Sequence, residues 1–172
     1  MYKRSYSFDL TGAPMAAKPF FKDSTPARYS RSRDADTKHL ALTLDIDHEG
    51  RQVSGNASFT LQAFGSDIRK LLLDARDMTV EGANINGKPV EFHHDGERIV
   101  VSLLHALAED KDSTLDIRYT LDDPVDGLHF GAPDDDDPKR PVEIWSLGHE
   151  EKSRYWFPCF DAPNQRLTSE IT

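Results

Sequence analysis

The sequence has one cysteine, Cys159, and no long apolar run. A lone cysteine forms no disulfide within the chain, and a free thiol is typical of a reducing compartment. Nowhere do about 18 consecutive apolar residues occur, as a membrane span requires. The basic residues near the start are followed by no apolar stretch of the kind that a secretory signal has. We therefore expect a cytoplasmic protein that does not contact a membrane.

Basic residues are also scarce, since 21 Lys and Arg stand against 30 Asp and Glu and give a formal net charge of -9. Binding to a phosphate backbone requires a concentrated basic face. Arginines gather only at Arg28, Arg31 and Arg33, where a solvated or docked tail is favoured over a nucleic-acid arm. The composition thus predicts no nucleic-acid partner.

Helical periodicity is almost absent as well. Residues 103–110 fit either two helical turns or a loop. Elsewhere apolar and polar residues alternate, which is typical of strands that bury one face. The inward-facing residues of three predicted strands are Leu40, Leu42, Leu44 and Ile46, then Val53, Ala57, Phe59, Leu61 and Ala63, then Leu115, Ile117, Tyr119 and Leu121.

Turn signals separate these stretches. Hairpins are predicted at Gly50, Asn86–Gly87 and Asp95–Gly96, with strands over 79–85 and 88–93. The pattern predicts an all-β fold, an antiparallel sandwich or curved sheet with little helix. We place this domain at residues 38–172 and an irregular extension at 1–37. Residues 167–172 begin a further strand, so we expect the chain to be a fragment of something longer.

Four clusters of ligand-type residues are disfavoured as metal sites. His48–Glu49 and His149–Glu150 lack the second histidine of a His-Glu-x-x-His zinc motif. His93 and His94 are adjacent in a strand and point to opposite faces, which favours an ordinary hairpin tip. Four aspartates at 134–137 lack the spacing and central glycine of a calcium loop, which favours a solvated loop over a calcium site.

Cys159 is the candidate nucleophile, and His149 or His129 would be its base. The cysteine lies between Pro158 and Phe160. Such bulky apolar neighbours bury a thiol and raise its pKa, which makes it inert. Since the sequence also lacks a glycine-rich phosphate loop, it predicts a β domain without a complete catalytic set.

The stretch RYWFPCFDAP, residues 154–163, resembles a motif of the aminopeptidase N-like zinc metallopeptidases, peptidase family M-one. The family carries Arg, two variable residues and then Phe-Pro-Cys-x-Asp-x-Pro in its N-terminal domain. The matching residues are Arg154, Phe157, Pro158, Cys159, Asp161 and Pro163. The resemblance extends over roughly residues 38–172 and implies the family's saddle-shaped N-terminal β domain.

The resemblance also implies what this chain does in a longer parent. The family's zinc motif and its Gly-x-Met-Glu-Asn loop lie in the next domain, so we expect no cofactor here and zinc in a parent that removes residues from peptide N-termini. The expected partners are that catalytic domain and a peptide substrate. The motif is then scaffolding, with a charge-assisted pair between Arg154 and Asp161. Without the catalytic domain, exposed apolar surface at the seam would favour self-association.

By the same resemblance, the family anchors the substrate's α-amine with a pair of residues that precede the motif. The first is a Gln, and the second, two positions later, is an acidic or amide residue. Their places are taken by Leu147 and His149. Leu147 accepts no hydrogen bond, and an ammonium group offers only donors. Glu150, one residue further on, would substitute if the register shifts. The alternative function is a protein-interaction module of a catalytically inactive relative, a kind that the family includes among transcription-factor subunits.

Overall fold

The structure is a computed structural model that describes residues 31–172, in which eleven strands and one short 3-10 helix form. The predicted extension therefore falls mostly outside the described residues, as does Arg28. In chain order the strands are β1 Ala35–Asp47, β2 Gln52–Ala63, β3 Lys70–Asp74, β4 Thr79–Ile85, β5 Lys88–Pro89, β6 Glu91–His94, β7 Arg98–Ser102, β8 Asp112–Asp122, β9 Leu128–Gly131, β10 Glu143–Ser146 and β11 Thr168–Ile171. The helix is Ser153–Tyr155. Over this range the structure contains no helix with the length and apolar character to cross a membrane.

The strands form three sheets. The largest has the order β11-β1-β2-β8-β4-β5, a second has the order β3-β7-β6, and β9 pairs with β10 in a separate hairpin. Buried residues of the two larger sheets belong to one hydrophobic cluster. The prediction of an all-β sandwich is confirmed. One pairing departs from the antiparallel expectation, since β11 runs parallel to β1.

The alternation of the sequence places the core. Every predicted inward residue of β2 and β8 is at most 4% exposed. In β1 the buried face changes sides, from Ala35 and Thr37 to Leu40 and Leu42, because a register shift falls between Thr37 and His39. An extra residue in one strand reverses the facing of all later side chains. The bulge therefore lets β1 enter the core at Ala35, five residues before Leu40, where its alternating pattern begins.

Two predicted segments need correction or completion. Residues 88–93 do not form one strand, since β5 joins the largest sheet and β6 joins the second. The chain changes sheets at Val90, whose N–H donates to the Ala83 carbonyl over 3.0 Å. Residues 103–110 form a loop, in which Leu103 and Leu107 are buried and supply the apolar spacing. The Asn86–Gly87 hairpin is confirmed, with φ of 50° and 76°.

Candidate functional site

The motif segment, defined here as residues 153–163, packs on the buried face of the largest sheet. Trp156, Cys159 and Phe160 are buried, and the Phe160 ring meets Phe59 of β2 edge to face at a centroid distance of 6.4 Å. Phe157 is half-buried against Trp156, with centroids 4.5 Å apart. Pro158 is buried and Pro163 is exposed. The aromatic residues therefore act as core, as large apolar side chains do when they find a face to cover.

Cys159 is bonded into the sheet structure by its backbone. Its N–H donates to the Asp74 carbonyl over 2.9 Å, and its carbonyl accepts from the Asp74 N–H over 2.7 Å. Burial raises the pKa of the Cys159 thiol well above its usual value, and the nearby Asp161 and Asp74 carboxylates raise it further. A buried, protonated thiol is a poor nucleophile. The predicted burial of Cys159 is confirmed.

Neither candidate base serves Cys159. His149 is largely exposed, and the His129 ring is stacked on Trp145 with centroids 3.9 Å apart. Among the described residues, no hydrogen bond joins the Cys159 thiol to either imidazole. The structure therefore does not bring a cysteine and a histidine together as a catalytic pair.

Arg154 and Asp161 form the predicted charge-assisted pair. The Arg154 side-chain Nε donates to Asp161 Oδ2 over 3.0 Å, and the Arg154 backbone N–H reaches the same oxygen over 3.2 Å. Burial alone would lower the pKa of the Arg154 guanidinium, but the hydrogen bond to Asp161 and the charges of Asp74 and Asp161 raise it overall. This pair closes the motif segment into a turn.

Asp74, at the end of β3, is a residue that the sequence did not single out. It is 2% exposed, and its carboxylate accepts two hydrogen bonds from Arg31, each 3.0 Å long. The backbone N–H of Asp161 donates to Asp74 Oδ2 over 3.1 Å, and Arg154 Nη1 lies 3.8 Å from Oδ1. Arg98 Nε lies equally close to Oδ1, at 3.8 Å. The only signal in the sequence was an acidic residue at the end of the apolar run Leu71–Leu73.

The candidate loop, defined here as residues 147–152, carries the predicted substrate-binding residues. Its first N–H, from Leu147, donates to the Gly127 carbonyl over 2.8 Å. His149 and Glu150 are exposed and border an open cleft together with Glu151 and Asp161. Leu147 is exposed but does not line this cleft. The structure thus brings His149 and Glu150 together and leaves Leu147 apart from them.

The backbone of the candidate loop is unusual. Glu150 and Glu151 both have positive φ, 61° and 64°, a conformation that costs a non-glycine residue about 1–2 kcal/mol. Glu151 is held by Arg154 Nη2 over 3.0 Å, and Lys152 is held by Asp126 over 3.0 Å. The hydrogen bond from Lys152 lowers the pKa of the Asp126 carboxyl, and the Gly127 N–H adds to the effect. The strained turn is therefore held by one local ion pair, Glu151–Arg154, and by one long-range ion pair, Lys152–Asp126.

An apolar groove of about 350 Å³ lies between the motif segment and the β1–β11 edge. Leu40 and Leu42 of β1 form part of its wall, with Trp156 and Phe160 opposite. Ile171 of β11 also lines the groove and is 61% exposed. This groove continues the apolar packing of the core out to the surface.

In the described part of the chain, no group of three or more His, Cys, Asp or Glu is arranged to hold a metal ion. The predicted acidic loop is held by its own contacts. Asp134 Oδ1 accepts from the N–H groups of Asp136 and Asp137, over 3.0 and 2.7 Å. These bonds use the carboxylate to shape the turn and leave the aspartates exposed to solvent.

The amino-acid sequence and the fold are both similar to known proteins. Leucine aminopeptidase 2-2 of Scheffersomyces stipitis is 24% identical over 163 residues, which is 91% of this chain and 25% of the relative. Leukotriene A-4 hydrolase of Xenopus laevis is 21% identical over 149 residues, 83% of this chain and 24% of the relative. Over a shorter stretch of 57 residues, 32% of this chain and 5% of the relative, transcription initiation factor TFIID subunit 2 of Danio rerio is 39% identical.

Solved structures share the fold. Native leukotriene A4 hydrolase from Saccharomyces cerevisiae superposes with a TM-score of 0.66 at 23% identity, covering 92% of this chain and 26% of that one. An M1 zinc metallopeptidase from Deinococcus radiodurans gives a TM-score of 0.65 at 22% identity, covering 81% and 32%. The chain spans about a quarter of the length of the first two relatives. Residues 26–172 match the family described as Peptidase M1 N-terminal domain, and the chain belongs to that family.

Proposed function

We propose that this chain is the N-terminal platform of a zinc metallo-aminopeptidase, in which it shapes the substrate cleft and performs no chemistry itself. The observation that carries the proposal is the construction of the motif segment. Its cysteine is buried and protonated, and its charged residues are paired with each other. Such a segment supports a neighbouring site and does not react. The matched family supports the same assignment.

The proposed partner is the catalytic domain of the same parent protein. The apolar groove and the exposed side chains of Leu167 and Ile171 give this domain a surface that a further domain would cover. The described residues do not fit a zinc ion, so the zinc of the parent would be held outside them. We propose that the domain predicted over residues 38–172 includes all of β1 from Ala35. We also propose self-association through the groove when the partner is missing, and a cytoplasmic location.

The proposed contact with substrate is made by the candidate loop. An α-ammonium group has only hydrogen-bond donors and requires an acceptor. Glu150 supplies a carboxylate at the open cleft, while Leu147 has no acceptor and His149 accepts only when neutral. Glu150 therefore replaces the acceptor that Leu147 and His149 do not provide. The substrate class is a peptide with a free N-terminus.

The test compares the longer parent with this chain on aminoacyl-fluorophore substrates. We expect chelator-sensitive release by the parent and no turnover or stoichiometric zinc for the chain alone. Glu150→Gln in the parent should raise KM about tenfold or more, because a hydrogen bond to a charged group contributes about 1.5–3 kcal/mol. The control is Glu143→Gln, which removes an exposed carboxylate of β10 that does not line the cleft. Release that resists the chelator, or zinc bound by the chain alone, would contradict the proposal.

The second candidate is a protein-interaction module of an inactive relative. The absence of an acceptor at Leu147 favours it, as does the similarity to a subunit of a transcription initiation factor. A parent without peptidase activity that binds a protein partner through the β domain is the outcome that selects this candidate.

A further inference from the structure

The Asp74 cluster is defined here as Asp74 with Arg31, Arg154 and Asp161. It joins three parts of the chain that are far apart in sequence: the segment before β1, the end of β3 and the motif segment. Asp74 is almost completely buried, and a buried carboxylate requires charged or hydrogen-bonding partners. The residues that bind the Asp74 carboxylate are therefore held in defined positions relative to the core.

Arg31 is the partner with the best geometry. Its two terminal nitrogens each donate to a different oxygen of Asp74 over 3.0 Å, which is the paired, fork-like arrangement that only a guanidinium makes. Arg154 lies further away, at 3.8 Å, as does Arg98. Arg31 thus carries most of the direct neutralisation of Asp74, although it comes from outside the sheets.

Arg154 connects the cluster to the candidate loop. Its guanidinium meets Asp74 with Nη1, while Nε binds Asp161 and Nη2 binds Glu151 over 3.0 Å. Its carbonyl accepts from the Arg76 N–H over 2.8 Å, which fixes its backbone beside β3. A change at Asp74 therefore reaches Glu151 through one side chain, and Glu151 is part of the strained turn next to Glu150.

We propose that Arg31 and Asp74 form a latch, by which the segment before β1 holds the motif segment closed and positions the candidate loop. Asp74 is then a positioning residue that acts through Arg154. When Arg31 is removed, the buried carboxylate loses its two short hydrogen bonds and draws on Arg154 and Arg98. The motif segment opens more often, and Glu151 loses its fixed partner. The latch itself is independent of the function proposed above, and only the substrate-binding role of the candidate loop rests on that function.

Cys159 makes the latch measurable, because it is the only thiol in the chain and its backbone is bonded to Asp74. Labelling of this thiol in the full 172-residue chain reports opening of the motif segment. Arg31→Gln should accelerate labelling about tenfold, as expected for the loss of charge-assisted hydrogen bonds. Arg31→Lys should restore little, since an ammonium group does not reproduce the two-pronged contact.

The matched control is Arg69→Gln, which removes an arginine from an exposed pair with Asp67. Its labelling rate should equal that of the unmodified chain. Asp74→Asn is a second variant, which should accelerate labelling of Cys159 in the same way. If this variant does not fold, the labelling rate of Arg31→Gln alone tests the latch. Labelling of Arg31→Gln at the rate of the control, or full restoration by Arg31→Lys, would overturn the latch.

Hydrogen exchange separates a latch from a general loss of stability. In Arg31→Gln, amides of the motif segment and the candidate loop should exchange faster, while those of β2 and β8 keep their rates. Equal acceleration in every segment would refute the positioning role. Both measurements use the chain without any peptidase assay, so an inactive parent would defeat the proposed function and leave the latch standing.

Discussion

Gly55, in the centre of the largest sheet, leaves room for the Tyr119 ring because it has no side chain. It lies opposite Tyr119, whose ring crosses the space above it, and a Cβ at position 55 would lie 2.6 Å from Tyr119 Cζ. Tyr119 is 1% exposed, so its ring is surrounded by the core. The glycine is therefore required by packing and not by its backbone angles.

Gly55→Ala should destabilise the chain by about 1–3 kcal/mol, the usual cost of overfilling a packed core. Denaturation by urea measures this loss. Gly65→Ala is the control, because nothing lies within 4 Å of a Cβ there. A variant at position 55 as stable as the control would show that Tyr119 is free to shift.

The Cys159 thiol gives the chain a stability that depends on pH. Its pKa in the folded chain is raised by burial, whereas an unfolded cysteine ionises near pH 8.5. Above about pH 8.5 the unfolded chain loses this proton and the folded chain keeps it, so folding stability falls as pH rises. Burial raises the pKa of Tyr119 in the same direction, and its contribution begins near pH 10.

Urea denaturation should show a lower free energy of unfolding at about pH 9.5 than at about pH 7.5, by on the order of 1 kcal/mol from the thiol. Cys159→Ser removes this titration, so the variant should change less over the same range. Equal stability of the unmodified chain at both pH values would contradict a buried, protonated thiol.

At the scale of residues, the sequence predicts those features that depend on neighbours within one short segment. Bulky neighbours of Cys159 indicate burial, and oppositely charged residues seven apart in a proline-containing stretch indicate the Arg154–Asp161 pair. Asp74 is different, because nothing beside it in the sequence shows that Arg31 and Asp161 lie within hydrogen-bonding distance. The contact depends on the packing of β3 against the motif segment, which only the fold reveals.

At the scale of elements, Gly127 joins the β9–β10 hairpin to the candidate loop. It has a φ of 77°, and a Cβ there would collide with the Lys152 carbonyl. Its own carbonyl accepts from Leu147. The loop therefore passes directly over a position where only glycine fits.

Gly127→Ala should cost about 1–3 kcal/mol beyond the strain of a positive φ. Gly96→Ala is a matched control, since Gly96 also has positive φ but open space around it. Thermal denaturation measures both variants, and nuclear magnetic resonance shift changes should reach Leu147 only in the first. Equal costs for the two would mean that the loop moves away freely.

The strands themselves follow from the two-residue alternation, and β2 and β8 lie where it is clearest. The pattern misses the bulge in β1, the change of sheet at Val90 and the parallel pairing of β11. Each of these is set by a partner strand, and the bulge leaves only a single break in the alternation, between Thr37 and Leu40. The sequence therefore predicts strand positions better than it predicts sheet membership.

At the scale of the whole molecule, the motif segment joins the two larger sheets into one platform. Its aromatic residues pack on the largest sheet, while Cys159 bonds to β3 of the second. The candidate loop lies on this platform, held by Arg154 and Asp126. The same residues that resemble a family motif are thus the ones that connect the sheets.

Hydrogen exchange of the 172-residue chain tests this account most directly. The Asp74 and Cys159 amides are bonded to each other's carbonyls, whereas residues 134–137 lie in an exposed loop. We expect the two bonded amides to exchange about a thousandfold more slowly than the loop after correction for intrinsic rates, which corresponds to roughly 4 kcal/mol of opening free energy. Exchange of Asp74 and Cys159 as fast as that of the acidic loop would contradict the platform.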